Sequence, residues 1–350
     1  MKRPKEQMDA QAYRIVLIGN GTIAVRGLFL LRKLGIEVPL IIADPADSGE
    51  DTWRLSLVQA SKELGYKTEK NLFTPTNPND PHIISTVALY EPTLLLSLQC
   101  RRLIRAPLIA IPTRGVINLH NAPLPLLRGC DPFAWAIHDG LTKMGVSLHQ
   151  VVDEGVDSGP VYSQYLWDIK ETDTAWDLYA ASVKWGEKLL SDRILDICSG
   201  KLQPQPQNNQ FSSYHPVGQF PFDQIEVNWS TPAFTLSRWI RSRIFPPLQL
   251  PFFSVNGVAV SILECRGLPA RGQPSEVLSV RPFIVAARSG SIQLRRLALN
   301  GIESCGEDLA QSFGLRVGMC LLDSCEVASS FKRLPGIGDP EKAVGPVLNP

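Results

Sequence analysis

Residues 13–34, YRIVLIGNGTIAVRGLFLLRKL, carry a strand, a turn and a helix in one pass. The run YRIVLI at 13–18 reads as a strand, and after Arg14 its residues IVLI are apolar without alternation, as a strand covered on both faces must be. Gly19-Asn20-Gly21 supplies the tight turn, since glycine takes backbone angles closed to other residues. From 22 to 34 the apolar residues then recur at helical spacing. Working outward, VPLII at 38–42 reads as a second strand. Residues 51–64 read as a second helix with Trp53, Leu57 and Ala60 on one face. A Pro/Asn-rich loop at 74–81 and a further helix lead to LLLSL at 94–98, and GVINL at 115–119 follows. Strands alternating with helices at this spacing imply βαβ units and a Rossmann-like α/β fold with a parallel or mixed sheet.

Further along, 132–139 reads as a short helix closed by Gly140, 146–152 and 161–167 as strands, and 174–198 as a long amphipathic helix ended by Gly200. At 203 the composition shifts to QPQPQNNQFSSYHP, which breaks the periodicity and reads as a linker or surface loop. A helix at 232–244 and short strands at 252–254, 258–264, 275–280, 283–287 and 292–297, with Asn256-Gly257 as a hairpin turn, indicate a small OB-like β-barrel. The expected organisation is an α/β domain over 1–202, a linker over 203–225, the barrel over 226–330 and a poorly ordered tail over 331–350.

Bulk properties narrow the function classes. A chain of 350 residues calls for two cores. Its formal charge of +1, with 20% charged residues, does not suit a protein dominated by phosphate neutralisation. Seven scattered cysteines without a CxxC pair read as reduced thiols. The polar start and the lack of a long apolar run lead us to expect a cytoplasmic protein without a membrane span. His82, His138, His149 and His215 lack partners at ligand spacing, so no metal is expected. Trp229 and Trp239 read as packing residues at the junction between the domains.

The chemistry concentrates after the strand at 115–119, in NLHNAPLPLLRG at 118–129. Polar groups at the carboxyl end of such a strand lie where open α/β sheets bind ligands. Asn118 and His120, two apart, share one face. A second polar loop, DEGVDSG at 153–159, follows another strand and offers Asp157. Amide, imidazole and carboxylate together suit acyl transfer to an amine. Asn118 and a protonated His120 would stabilise negative charge on the acyl oxygen, and Asp157 would accept the amine's proton. Singly, His120 reads equally well as a structural histidine at a strand end, and Asp157 as a turn residue. Asn121 and Arg128 sit close enough to touch the acceptor, and Arg128 could equally brace the loop.

The paired segments NLHNAPLPLLRG and HQVVDEGVDSGPV resemble the formyltetrahydrofolate-dependent formyltransferases, a family that includes enzymes acting on methionyl-tRNA, glycinamide ribonucleotide and sugars. The family's Asn-x-His motif falls on Asn118 and His120, and its partner aspartate on Asp157. The resemblance implies 10-formyltetrahydrofolate as co-substrate, with the pterin against the backbone of Leu98, Gln99 and Cys100 and of the loop Asp153, Glu154, Gly155, Val156 and Asp157. It also implies a cis peptide at Leu124-Pro125. Relatives often carry aromatic residues near positions 99 and 100, which this chain lacks. The stretches EVNWSTPAFTLSRWIRSRIFPP at 226–247 and FGLRVGM at 313–319 resemble the small barrel of two members. These are the methionyl-tRNA enzyme and the formyltransferase domain acting on UDP-4-amino-4-deoxy-arabinose.

For the acceptor, the run DPADSGED at 44–51 is acidic where the tRNA-formylating relatives are basic, which argues against tRNA. Arg238, Arg241 and Arg243 read as a solvated face offset by neighbouring acids. A small-molecule amine, most plausibly on a nucleotide-linked amino sugar, is the expected acceptor, with Gly19 and Asn20 beside its pocket. An amine on a carrier protein is the second choice. Three other classes stay open on the residues alone. Gly19, Gly21, Ala24 and Asp44 fit a dinucleotide fingerprint and hence an oxidoreductase. A hydrolase would pass the formyl group to water, and a binding protein would do no chemistry. An exposed barrel edge could also pair with a copy of itself to form an oligomer.

Overall fold

The computed structural model describes residues 13–246 and 248–321. Among these, residues 13–132, 143–168 and 179–217 form one compact unit, and 133–142, 169–178 and 218–321 another. The expected tail over 331–350 lies outside the described residues.

The opening stretch folds as strand β1 (Ile15–Gly19) and helix α1 (Gly21–Lys33). There follow β2 (Ile41–Ala43), α2 (Leu57–Glu63), β3 (Leu72–Phe73), α3 (Pro81–Leu89), β4 (Leu94–Leu98), α4 (Ala106–Ile109) and β5 (Val116–His120). Next come β6 (Arg128–Gly129), α5 (Pro132–His138), β7 (Lys143–Val151), β8 (Val161–Asp168), α6 (Ala175–Cys198) and β9 (Tyr214–His215). The main sheet runs β3-β2-β1-β4-β5-β7-β8, parallel up to β5, with β7 and β8 antiparallel. Successive residues of β1 serve opposite faces. Ile15 and Leu17 pack with Leu28, Leu31, Leu189 and Ile194, whereas Val16 and Ile18 pack with Ile83, Val87 and Leu108. That two-sided burial is why the strand has no polar alternation. Each fully buried Leu or Ile here contributes about 1.5–3 kcal/mol.

Two elements depart from the periodicity. The second helix starts at Leu57, not at 51, because Ser56 caps it by accepting the Gln59 N–H, and Asp47 accepts the N–H groups of Leu57 and Val58. Trp53 therefore lies in the preceding loop, edge-on to Tyr179 at 5.7 Å. The second strand begins at Ile41, three residues later than its apolar run.

In the second unit, α7 (Ala233–Arg243) precedes β10 (Phe252–Val255), β11 (Val258–Leu268), β12 (Val277–Val280), β13 (Phe283–Ala286), β14 (Ser291–Leu299), β15 (Ile302–Cys305) and α8 (Gly306–Ser312). The order β10-β11-β14-β13-β12, with β15 also on β14, makes a curled OB-like antiparallel sheet. Among the described residues no pairing joins β10 to β12. Asn256 (φ 51°) and Gly257 (φ 77°) form the expected hairpin turn. The strand β15 and helix α8 carry little apolar periodicity and escaped the sequence reading.

Three placements correct the sequence reading of this half. Arg243 is 1% exposed and donates to the carbonyls of Gln224, Pro221 and Trp239, with its guanidinium over the Trp239 ring. Arg241 is likewise buried and donates to the Asp173 carbonyl. These two arginines are internal braces, not a solvated face, because each is buried and donates to backbone carbonyls. Trp229 and Trp239 pack in this unit's own core. Among the described residues no helix is long and apolar enough to cross a membrane.

Candidate active site

The polar face of β5 lies between β4 and β7. Register places Ser97, Asn118 and His149 side by side across these three strands. Ser97 Oγ donates to Asn118 Oδ1 at 2.8 Å, and Asn118 Nδ2 lies 3.1 Å from His149 Nε2. One step further, His120 pairs with Ser147. The Ser147 hydroxyl donates to the Ala122 carbonyl and accepts from the Leu124 N–H and Gln164 Nε2, which fixes the loop after β5. The Leu124-Pro125 peptide is cis, as the resemblance implied.

Asp157 closes the constellation from its own loop, with φ at 51°. A left-handed backbone costs a residue other than glycine about 1 kcal/mol and persists where neighbours over-determine it. Here they do: Gly129 N–H donates to Asp157 Oδ2 at 2.9 Å, and Gln207 Nε2 donates to the Asp157 and Gly159 carbonyls at 2.7 Å each. The carboxylate faces His120 Nδ1 at 3.4 Å, His149 Nε2 at 3.3 Å and Asn118 Nδ2 at 3.5 Å. Burial opposes its charge. The charge of His120, the hydrogen bond and charge of His149, and the Gly129 N–H outweigh burial and hold the Asp157 carboxyl well below the usual carboxylate range. On its other side, His120 Nε2 lies 2.8 Å from the Leu127 carbonyl. An acceptor oxygen thus faces each nitrogen of the His120 ring.

Asn118, His120 and Asp157 thus meet at the carboxyl end of β5. Leu98 is fully buried beside Leu119, while Gln99, with φ at 58°, turns the chain after β4 and keeps its Oε1 buried without a hydrogen-bond partner. Burial pushes the Cys100 and Cys130 thiols up to about 11 each, so both are neutral and neither is an activated nucleophile. Asp153, Glu154 and Gly155 are exposed, with Asp153 accepting the Gly155 N–H. Arg105 reaches Glu154 at 3.9 Å, so the loops after β4 and β7 adjoin.

Arg128 is a brace: it donates to Gln207 Oε1 at 2.7 Å and to Asn209 Oδ1 at 2.7 Å. Gly19 has a packing explanation, since a Cβ there would meet the Leu98 carbonyl at 2.5 Å and Ala24 Cβ at 2.9 Å. The glycine fingerprint therefore reflects close seating of α1 on β1 and β4. Asn121 is half-buried, and Asn20 is buried at the start of α1.

Two contributors went unrecognised in the sequence. His149 reads in the sequence only as an unpartnered metal-ligand candidate, although Ser147 and His149 lie two apart in β7 and so share one face. Residues 205–215 look like part of a featureless linker. They instead strap the site, with β9 pairing β6 and Gln205 bridging Val161. Among the described residues, no group of three or more His, Cys, Asp or Glu side chains is placed to hold a metal ion.

Comparison with known proteins gives the chain's family and its fold relatives. The methionyl-tRNA formyltransferase of Myxococcus xanthus (strain DK1622) is 30% identical over 290 residues, covering 82% of this chain and 91% of that protein. Among solved structures, WlaRD, a sugar 3-N-formyltransferase crystallised in the presence of dTDP and 5-N-formyl-THF, superposes with a TM-score of 0.64 at 23% identity, over 81% of this chain and 97% of that one. The N-formyltransferase from Helicobacter canadensis, in complex with folinic acid and dTDP-3-aminofucose, gives 0.63 at 22% identity, over 80% and 98%. At such identities these two likenesses speak to the fold. The formyl transferase family model matches residues 14–194, the span that builds the sheet and the Asn118, His120 and Asp157 constellation, and this chain belongs to that family.

Proposed function

We propose that the chain transfers a formyl group from 10-formyltetrahydrofolate to the amine of a small molecule, a nucleotide-linked amino sugar. The observation that carries the reading is one ionised carboxylate, Asp157, within 3.5 Å of Asn118, His120 and His149 at the end of β5. The co-substrate fits on this chain's own terms. Gln99 Oε1 is a buried acceptor without a partner at the turn where the pterin would lie, and it would receive an N–H from the ring's donor edge.

Asn118 Nδ2 and the His120 imidazolium supply positive character to the formyl oxygen as the amine attacks. One such preorganised donor is worth about 3 kcal/mol. Asp157 takes the proton the amine sheds and keeps His120 charged. The new C–N bond forms on the acceptor, the bond from the formyl carbon to the donor nitrogen breaks, and the proton Asp157 took from the amine passes to that leaving nitrogen. Arg128 and Gln207 hold the Asp157 loop in place.

The sugar reading is supported by the structural relatives described with dTDP and dTDP-3-aminofucose. A second reading, formylation of methionyl-tRNA, draws on the Myxococcus relative. The acidity of 44–51 does not exclude it. Asp44 accepts the Ala46 N–H, Asp47 caps α2 and Asp51 accepts the Ser56 N–H, so these carboxylates have local structural work. The decisive experiment incubates the full chain with 10-formyltetrahydrofolate and, separately, dTDP- and UDP-linked amino sugars, charged initiator tRNA and an aminoacylated carrier protein. Formylated product is read by mass spectrometry. Transfer to an amino sugar is expected; transfer to tRNA alone would replace this reading with the second.

A further inference from the structure

Strand β4 is apolar from end to end except for Ser97, which is 3% exposed. Register sets this serine in a row across four strands: Ile18 of β1, Ser97 of β4, Asn118 of β5 and His149 of β7. The Ile18 side chain carries no hydrogen-bonding group, so Asn118 is the polar neighbour that the row offers the Ser97 hydroxyl. The hydroxyl donates to Asn118 Oδ1 at 2.8 Å. On the nitrogen end of the same amide stand His149 Nε2 at 3.1 Å and Asp157 Oδ1 at 3.5 Å. The two ends of an asparagine amide have nearly one shape and opposite character, one a donor and the other an acceptor. Turned over, the Asn118 amide would present an oxygen where negative charge develops on the formyl group and would repel it.

We infer, resting on the role proposed for Asn118, that Ser97 is a positioning residue for formyl transfer: its hydroxyl holds the oxygen end of the Asn118 amide and keeps Nδ2 aimed at the formyl oxygen. Asp157 alone cannot hold that aim through the reaction. As a carboxylate it accepts only, and so it draws the nitrogen end toward itself. Once it takes the amine's proton it becomes a donor as well, and its preference for Nδ2 over Oδ1 fades at the step where the aim matters. The hold from Ser97 does not change with that proton. A serine hydroxyl can also accept, but accepting from a turned amide would leave its own hydrogen pointing along the row toward Ile18, and a buried hydrogen without an acceptor is costly. Donation to Oδ1 is therefore the favoured arrangement, and it fixes the amide's direction from β4, a strand that contributes no reacting group.

The test measures kcat and the folate KM of the full chain with an amine that the acceptor panel identifies. Ser97→Ala is expected to lower kcat about tenfold and to leave the folate KM within about twofold, since aim is lost and binding is not. Threonine and valine share one outline and differ in the hydroxyl, so Ser97→Thr should exceed Ser97→Val in kcat by about tenfold; equal values would make the position a matter of packing and overturn the proposal. In an Asn118→Ala background the group being aimed is gone, and Ser97→Ala should change kcat by less than about twofold. The same tenfold loss in that background would show a structural role and overturn it as well. One readout needs no acceptor: solvent exchange of the Asn118 Nδ2 hydrogens, followed by NMR, should be at least about fivefold faster in Ser97→Val than in Ser97→Thr. Equal exchange overturns the hold even if transfer proceeds. Faster exchange upholds it even if no amine in the panel is formylated, a result that would count against the acceptor and not against Ser97.

Discussion

Replacing Asp157 by Asn changes one atom and the charge at the centre of the site. Gly129 N–H, 2.9 Å from Oδ2, requires an oxygen there, which forces the new NH₂ toward His149 Nε2 at 3.3 Å and Asn118 Nδ2 at 3.5 Å. Two amide donors would then compete for one imidazole nitrogen, and Asn118 would lose its aim. The acceptor for the amine's proton and the counter-charge of His120 vanish together. General-base loss typically costs 10²–10⁴-fold, so we expect kcat to fall about 10³-fold, or about 4 kcal/mol in the barrier. The unmatched donors should also cost roughly 1–3 kcal/mol of stability.

The sign of the pH dependence follows from the lowered carboxyl. Stability from an acid whose folded pKa is depressed is fully present above the unfolded value, about 3.9, and is lost as pH falls through the folded value. The stability gap between wild type and Asp157→Asn should therefore close as the pH falls below about 4 and the carboxyl takes up its proton. Single-turnover formyl transfer and urea denaturation at several pH values measure both quantities. A variant with kcat within about threefold of wild type would refute Asp157 as the proton acceptor. A stability gap that widens as the pH drops would refute the electrostatics.

Three further outcomes follow from particular contacts. Gln207→Ala removes the donors to the Asp157 and Gly159 carbonyls, so kcat should fall between about tenfold and 100-fold with the folate KM little changed; unaltered kcat would make the strap irrelevant to catalysis. Gly19→Ala drives a methyl against the Leu98 carbonyl and Ala24, and should cost about 1–3 kcal/mol in urea denaturation, whereas a neutral result would return Gly19 to a role in ligand binding. Arg243→Met strands three carbonyls and should cost about 3 kcal/mol, where a surface arginine would cost under about 0.5; a small change would restore the solvated reading.

The sequence by itself determined what local chemistry can encode. An unbroken apolar run at 15–18 needs cover on both faces, which made it a central strand. The two-residue repeat put Asn118 and His120 on one face, and Asn256-Gly257 named its own turn. Residues 118–129 and 149–161 also sufficed to announce the family, because they carry the reacting groups at fixed spacing. Tertiary structure alone decided which distant groups those residues meet. His149 joins Asn118 through strand register across 31 positions, and Gln207 reaches Asp157 from a stretch whose composition suggests only a loop. The buried arginines looked solvated because charge is visible in a sequence, whereas the carbonyls that satisfy it are exposed to them only by the fold.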